Sequence, residues 1–249
     1  MGARGKSALF RDEMAQRGFE VIPKLHAPGL PGVLFRAGSR VELTDVVDAR
    51  STDSPFFAGT VTGLYAEDSS LPRSIGASFA AIPLPRPVPH ILLLGTGIGM
   101  LKLAGVSLGA NQRLSLEGDF DRTYSLYCQI GGSSLALSVF TPELLQQVID
   151  NGSNSDIEVV DNWMFVYGNA SETSSGQMLD AIEKLAERVG GAIVSPAFEG
   201  EAGAPAGGPA GRIDGAGQAK KTSGLTLVVV TIVAVAAGAL FTLFGSGLY

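Results

Sequence analysis

From Leu225 to Phe244 the chain runs for 20 residues without a charge, LTLVVVTIVAVAAGALFTLF. As a helix such a run is roughly 30 Å long, the thickness of a bilayer's hydrocarbon core. Twelve of the 20 are Leu, Ile, Val or Phe, and the three Thr and single Gly offset only part of their preference for lipid. A core helix would rarely lack every charge over this length. The segment therefore reads as a transmembrane helix over 224–245, with 246–249 as a short external tail. Lys220 and Lys221 precede it and no basic residue follows, so the large N-terminal part is expected in the cytoplasm, on a single-pass, tail-anchored protein of the cell membrane.

The neighbouring segments agree. Residues 196–223 hold three Pro and seven Gly among small side chains, which cannot bury enough surface to offset the entropy of ordering. This stretch is expected to be a flexible tether reaching roughly 30 Å end to end. Asp12, Glu13 and Arg17 interrupt any secretory signal, and position 6 is Lys where N-myristoylation needs Ser or Thr. Cys128 is the only cysteine, so no internal disulfide can form. A net charge of −6 argues against a nucleic-acid surface.

Residues 1–195 are long enough for one well-cored domain. Lys6 to Arg17 reads as a short helix with Phe10 and Met14 on one face and Gly18 at C′. Strands are expected at Phe19–Ile22, Val33–Phe35, Val41–Val47, Phe56–Tyr65, Ala77–Leu84 and Leu114–Cys128. Pro83, Pro85, Pro87 and Pro89 predict an extended, unpaired connection. Thr141-Pro142-Glu143 opens a helix striped by Leu144, Leu145, Val148 and Ile149 and ended by Asn151-Gly152. Asp161-Asn162 suits a two-residue hairpin turn between Ile157–Val160 and Trp163–Tyr167. Ser174 and Gln177 resemble a capping box for a last helix, with Met178, Ile182, Leu185 and Val189 on one face and Gly190-Gly191 as its stop. The resulting fold class is α+β, a mostly antiparallel sheet with helices on one side.

RLSLEGDFDRTYSLYC, VFTPELLQQVID and IEVVDNWMFVYG, with FRAGSRVELTDVVDAR, FFAGTVTGLY and LPRPVPH upstream, resemble an uncharacterised family of membrane-associated proteins from high-GC Gram-positive bacteria. The resemblance spans roughly Phe10 to Gly168. It implies one compact domain in a membrane context, and carries over no activity, cofactor or catalytic residue.

Candidate sites are few. Glu117, Asp119 and Asp121 would project from one face of a strand and offer oxygen ligands to Ca²⁺ or Mg²⁺, although a solvated face alternating with Phe120 gives the same pattern. Gly95-Thr-Gly97-Ile-Gly99 lacks the spacing of either phosphate loop and reads as a surface loop. His26 and His90 lie among prolines with no nucleophile setting, and Cys128 reads as a buried free thiol. Trp163, Phe165 and Tyr167 alternate and read as core. Ala234 and Gly238 form a small-xxx-small pair that would let two anchors pack into a homodimer. The expected function is a non-enzymatic module that uses no cofactor and holds a partner protein at the bilayer. A membrane-tethered ligand or metal sensor is the alternative, and a tethered hydrolase ranks last.

Overall fold

The computed structural model describes residues 3–26, 29–65, 71–97, 99–106, 108–116, 120–150, 155–170 and 175–193. The expected tether, membrane helix and tail, Ala234 and Gly238, Asn151-Gly152 and Ser174 lie outside these residues. Among the described residues no helix is long and apolar enough to cross a membrane.

The fold is α+β, built on a seven-stranded sheet whose pairings are all antiparallel. The strands are β1 (Ile22–His26), β2 (Ser39–Asp48), β3 (Phe57–Tyr65), β4 (Arg73–Gly95), β5 (Arg113–Leu114), β6 (Tyr124–Cys128) and β7 (Asp156–Asn169). The 23-residue β4 is the spine: its first half pairs with β3, its last turn of sequence with β6, and most of its length with β7. The helices are α1 (Ala3–Gln16), α2 (Val33–Arg36), α3 (Met100–Leu103), α4 (Phe120–Thr123), α5 (Ser133–Val139), α6 (Pro142–Asp150) and α7 (Ser175–Ile193).

Both faces of this sheet are buried, which is why Ile91 to Leu94 is apolar without alternation. On one face Phe10 and Met14 of α1, Leu144 and Val148 of α6, and Ile182 and Val189 of α7 cover Ala80, Val159 and Val166. On the other, Val33 to Phe35 of α2 and Met100 and Leu101 of α3 cover Phe57, Phe79, Leu92 and Phe165. The long helices thus share one side, as the sequence predicts, but two one-turn helices close the other.

Local signals place several elements well. Gly18 has φ +83°, and the Phe19 N–H to Met14 carbonyl and Gly18 N–H to Ala15 carbonyl bonds complete a Schellman end to α1. At α6 the Thr141 carbonyl accepts from Leu145 N–H at 2.9 Å. Glu143's own backbone N–H and the Thr141 hydroxyl hold its carboxyl below the usual range. Other expectations need correction. The first strand begins at Ile22 and contains Pro23, which costs little on an edge. Val33–Phe35 is helix α2, not strand. Leu114–Cys128 is not one strand, because α4 intervenes before β6. Helix α7 continues through Gly190-Gly191 to Ile193, whose carbonyl accepts from the Arg86 guanidinium.

The largest correction concerns the prolines and the supposed hairpin. Residues 73–95 form a single strand that passes through Pro83 to Pro89, and Asp156–Asn169 is likewise one strand. Asp161, at φ +53°, lies opposite a bulge in β4 and continues the strand instead of reversing it, because Asp tolerates the left-handed region. From Pro83↔Trp163 to Val88↔Asp161, β4 advances five residues while β7 advances two. The prolines fall in this irregular stretch, where few ladder donors are required.

The two irregularities change which residues share a face. Phe165 and Tyr167 line the same core as Val160, three residues before Trp163, so the inward set moves from even to odd numbers across the bulge. They also bend the strand. Glu158 and Tyr167 would stand about 30 Å apart on a straight strand, yet the Tyr167 hydroxyl donates to Glu158 Oε2 at 2.8 Å. The concave side of that bend receives α2 and α3.

Candidate functional site: a buried carboxylate pair under two short helices

Asp156 and Glu158 sit two apart on β7 and share its inward face with Val160. They are 1% and 0% exposed. Each receives the start of one of the short helices.

Glu158 takes α2. The Val33 N–H, first in that helix, donates to its two oxygens at 3.1 and 2.9 Å. Tyr167 donates to Oε2, and His90 Nε2 lies 2.8 Å from Oε1. A carboxylate only accepts, so the geometry assigns the His90 proton to Nε2. Nδ1 is buried and has no hydrogen-bond partner among the described residues. Gln129 fixes the His90 backbone from both sides, accepting its N–H at 3.1 Å through Oε1 and donating to its carbonyl at 2.8 Å. Burial, then the charge of Glu158, holds the Tyr167 hydroxyl well above its ordinary value, so it stays a donor. A Cβ at Gly32 would collide with that hydroxyl and sit 3.3 Å from Glu158 Oε2. The Tyr65 hydroxyl adds a second hold on α2 at the Leu34 carbonyl, 2.6 Å away.

Asp156 takes α3. Gly95 N–H donates to Oδ1 at 3.1 Å and Leu101 N–H to Oδ2 at 2.8 Å, and Met100 N–H also bonds the carboxylate. Gly99 passes so close that a Cβ would lie 2.7 and 2.8 Å from the two carboxylate oxygens. Burial pushes the Asp156 carboxyl up to about 6, the three N–H bonds pull against that, and the charge of Glu158 adds to the rise.

These contacts show what the Gly95–Gly99 loop does. Its neighbouring amides are aimed at an anion, and that anion is the chain's own Asp156. Gly95 and Gly99 are buried against Asp156, while Thr96 and Gly97 are exposed. Lys102, the nearby cation in sequence, is exposed.

The remaining predicted residues are dispersed. Glu117 and Asp119 lie outside the described residues. Asp121 is in the first turn of α4, with Oδ2 3.4 Å from Ser115 Oγ, so the one-face strand that would align three carboxylates does not extend to it. No group of three or more His, Cys, Asp or Glu is placed to hold a metal among the described residues. His26 is exposed on edge strand β1. Cys128 is buried, and that burial pushes its thiol up. Phe165 and Tyr167 are core, as predicted, and Trp163 stacks on Phe165 with centroids 6.1 Å apart.

Sequence reasoning passed over Asp156 and Glu158. One signal was available: in SDIEVV both acids alternate with Ile157 and Val159 and share parity with Val160, so a strand buried on both faces must hold them inside. Their chemistry is that of fasteners. Both are 0–1% exposed, and their partners are backbone amides and side chains of the chain itself.

No protein-family model matches the chain, and no curated protein is similar to it. Its fold is similar to the crystal structure of the mycobacterial trehalose monomycolate transport factor A, TtfA, with a TM-score of 0.52 at 12% identity. The likeness covers 77% of this chain and 96% of that one.

Proposed function

We propose that this chain is a membrane-anchored, non-enzymatic domain that holds a partner protein at the cytoplasmic face of a bacterial membrane. The observation that carries this reading is the uncharged run Leu225–Phe244, joined by a Gly/Pro-rich tether to a folded domain. A closed polar interior supports the non-enzymatic part. Asp156, Glu158, His90 and Tyr167 converge as catalytic groups would, yet they are spent on fastening α2 and α3. The fold likeness to a mycobacterial trehalose monomycolate transport factor is in keeping with a non-enzymatic, membrane-associated role.

Crosslinking and affinity capture of the full-length protein from membranes tests this, with the chain truncated after Ser195 as control. A defined membrane partner that is lost on truncation is expected. Equal capture by the truncated chain would remove the anchor from the mechanism. A thermal-shift screen of the same protein against divalent cations and nucleotides tests the sensor alternative, and a saturable shift would favour it.

A further inference from the structure

Helix α7 ends among exposed apolar residues. The Ile193 carbonyl, last of that helix, accepts from the Arg86 guanidinium, and Arg86 stands between Pro85 and Pro87, both exposed. Pro89, two residues further along β4, lies against the turn at 129–132, where a Cβ on Gly132 would be 3.1 Å from the Pro89 Cβ. In that turn the Gly132 N–H donates to the Gln129 carbonyl at 3.0 Å, and Gly131 at φ +84° fits the third position of a type II turn. Ile130 is thereby at the tip, 61% exposed. The turn leads directly into α5, which packs on both α7 and β4 and carries Leu137, 44% exposed.

The fold does not require this apolar rim. Ile130 belongs to neither core cluster, and a polar residue serves a turn tip as well. The segments that carry the rim also lack acids. No Lys, Arg, Asp or Glu occurs between Arg122 and Glu143, and Arg86 stands alone among them from Ser74 to Leu101. Among the described residues the other exposed large apolar side chains sit close to charges in sequence: Leu9 near Arg11 and Asp12, Leu71 near Arg73, and Leu103 after Lys102.

We propose that this rim, with Ile130 at its tip, docks the domain on the lipid surface of the membrane that anchors the chain. The identity of that surface rests on the membrane-anchor reading above. The occupant follows from where the chain goes: residues 194–224 start at the rim and lead to the uncharged run Leu225–Phe244. A tether of that composition keeps a bilayer within about 30 Å of the rim. An acid-free rim loses little hydration on entering the headgroup layer, whereas carboxylates there would be desolvated and repelled by anionic lipid. Ile130 and Leu137, each moved from water to the acyl boundary, would favour the docked orientation by roughly tenfold or more. Such a contact is too small to hold a free domain, and the covalent tether supplies the second attachment that makes it effective.

Photocrosslinking of the full-length protein in vesicles of phosphatidylcholine and phosphatidylglycerol tests the docking. A photoreactive aromatic residue takes the place of Ile130 or, as reference, of Leu71, which is 87% exposed just before the start of β4. Flotation with the vesicles reads the anchor separately. Floating protein is expected, with lipid adducts at position 130 roughly tenfold or more above those at position 71. Leu137→Ser should lower the yield at position 130 several-fold and leave the urea midpoint unchanged. Equal yields at the two positions would mean that the domain tumbles freely on its tether. Covalent dimers from position 130 in place of lipid adducts would give the rim to a second copy of the chain. Either result in floating protein overturns the docking and leaves the anchor standing, and protein that does not float overturns both.

Discussion

The sharpest consequence of the Glu158 cluster is a coupling between residues nine apart on a bent strand. Tyr167→Phe removes one hydroxyl bonded to a buried carboxylate and nothing else. A hydrogen bond to a charged group contributes about 1.5–3 kcal/mol, so the variant should lose that much stability. Glu158→Gln keeps the volume but replaces one acceptor oxygen by a donor, where Val33 N–H, Tyr167 OH and His90 Nε2 all converge. If the amide nitrogen faces His90, the imidazole must move its proton to Nδ1, which has no partner among the described residues. If it faces Tyr167, the hydroxyl must turn to accept and leave its own proton unsatisfied. Either way one buried donor is stranded, at about 1–3 kcal/mol, and the charge assistance is lost as well. The double variant should therefore lose at least 1 kcal/mol less than the sum of the singles. Urea unfolding followed through Trp163, the single tryptophan, measures all four corners of this cycle. Because the Tyr167 hydroxyl is held well above its ordinary value, it stays a donor throughout the neutral range in which the cycle is measured. Additivity, or a Tyr167→Phe variant as stable as wild type, would refute the account of Glu158 as a fastener.

Three further outcomes are expected. Gly99→Ala places a Cβ against carboxylate oxygens that three amides hold still, so it should cost at least the 1–3 kcal/mol typical of overpacking, read from the same urea midpoint. Cys128, buried and with its thiol pushed up, should resist a thiol reagent at pH 8 in the native protein and react at once in urea; rapid native labelling would place it at the surface. The Arg50 guanidinium, bonded to Asp48 at 2.8 and 2.6 Å, holds that carboxyl below its ordinary value. This contribution is present above the ordinary carboxyl range and lost on acidification, so Arg50→Ala should raise the Asp48 midpoint in an NMR titration, and an unmoved midpoint would contradict the pairing.

Sequence alone determined what depends on neighbours within a few residues. Gly18 ends α1 because a positive φ is required one position past the helix, and Thr141-Pro142-Glu143 starts α6 because hydroxyl, ring and carboxylate each suit their place in a first turn. Alternation put Trp163, Phe165 and Tyr167 on one face. The expectation of a bilayer segment after residue 224 rests on transfer free energy alone, which needs no tertiary contact, and it falls outside the described residues.

Only the tertiary structure decided the rest, because the deciding partners are remote. Asp161-Asn162 has the backbone tolerance for a turn, and the strand instead continues through it because β4 pairs with β7 on both sides of Asp161. Gly95–Gly99 has the amides of an anion loop, and its anion is Asp156, 61 residues from Gly95. Val33 reads locally as strand, and becomes the start of a helix because Glu158, 125 residues away, accepts its N–H. A local pattern specifies which groups must be satisfied; the bend in β7 selects which groups satisfy them.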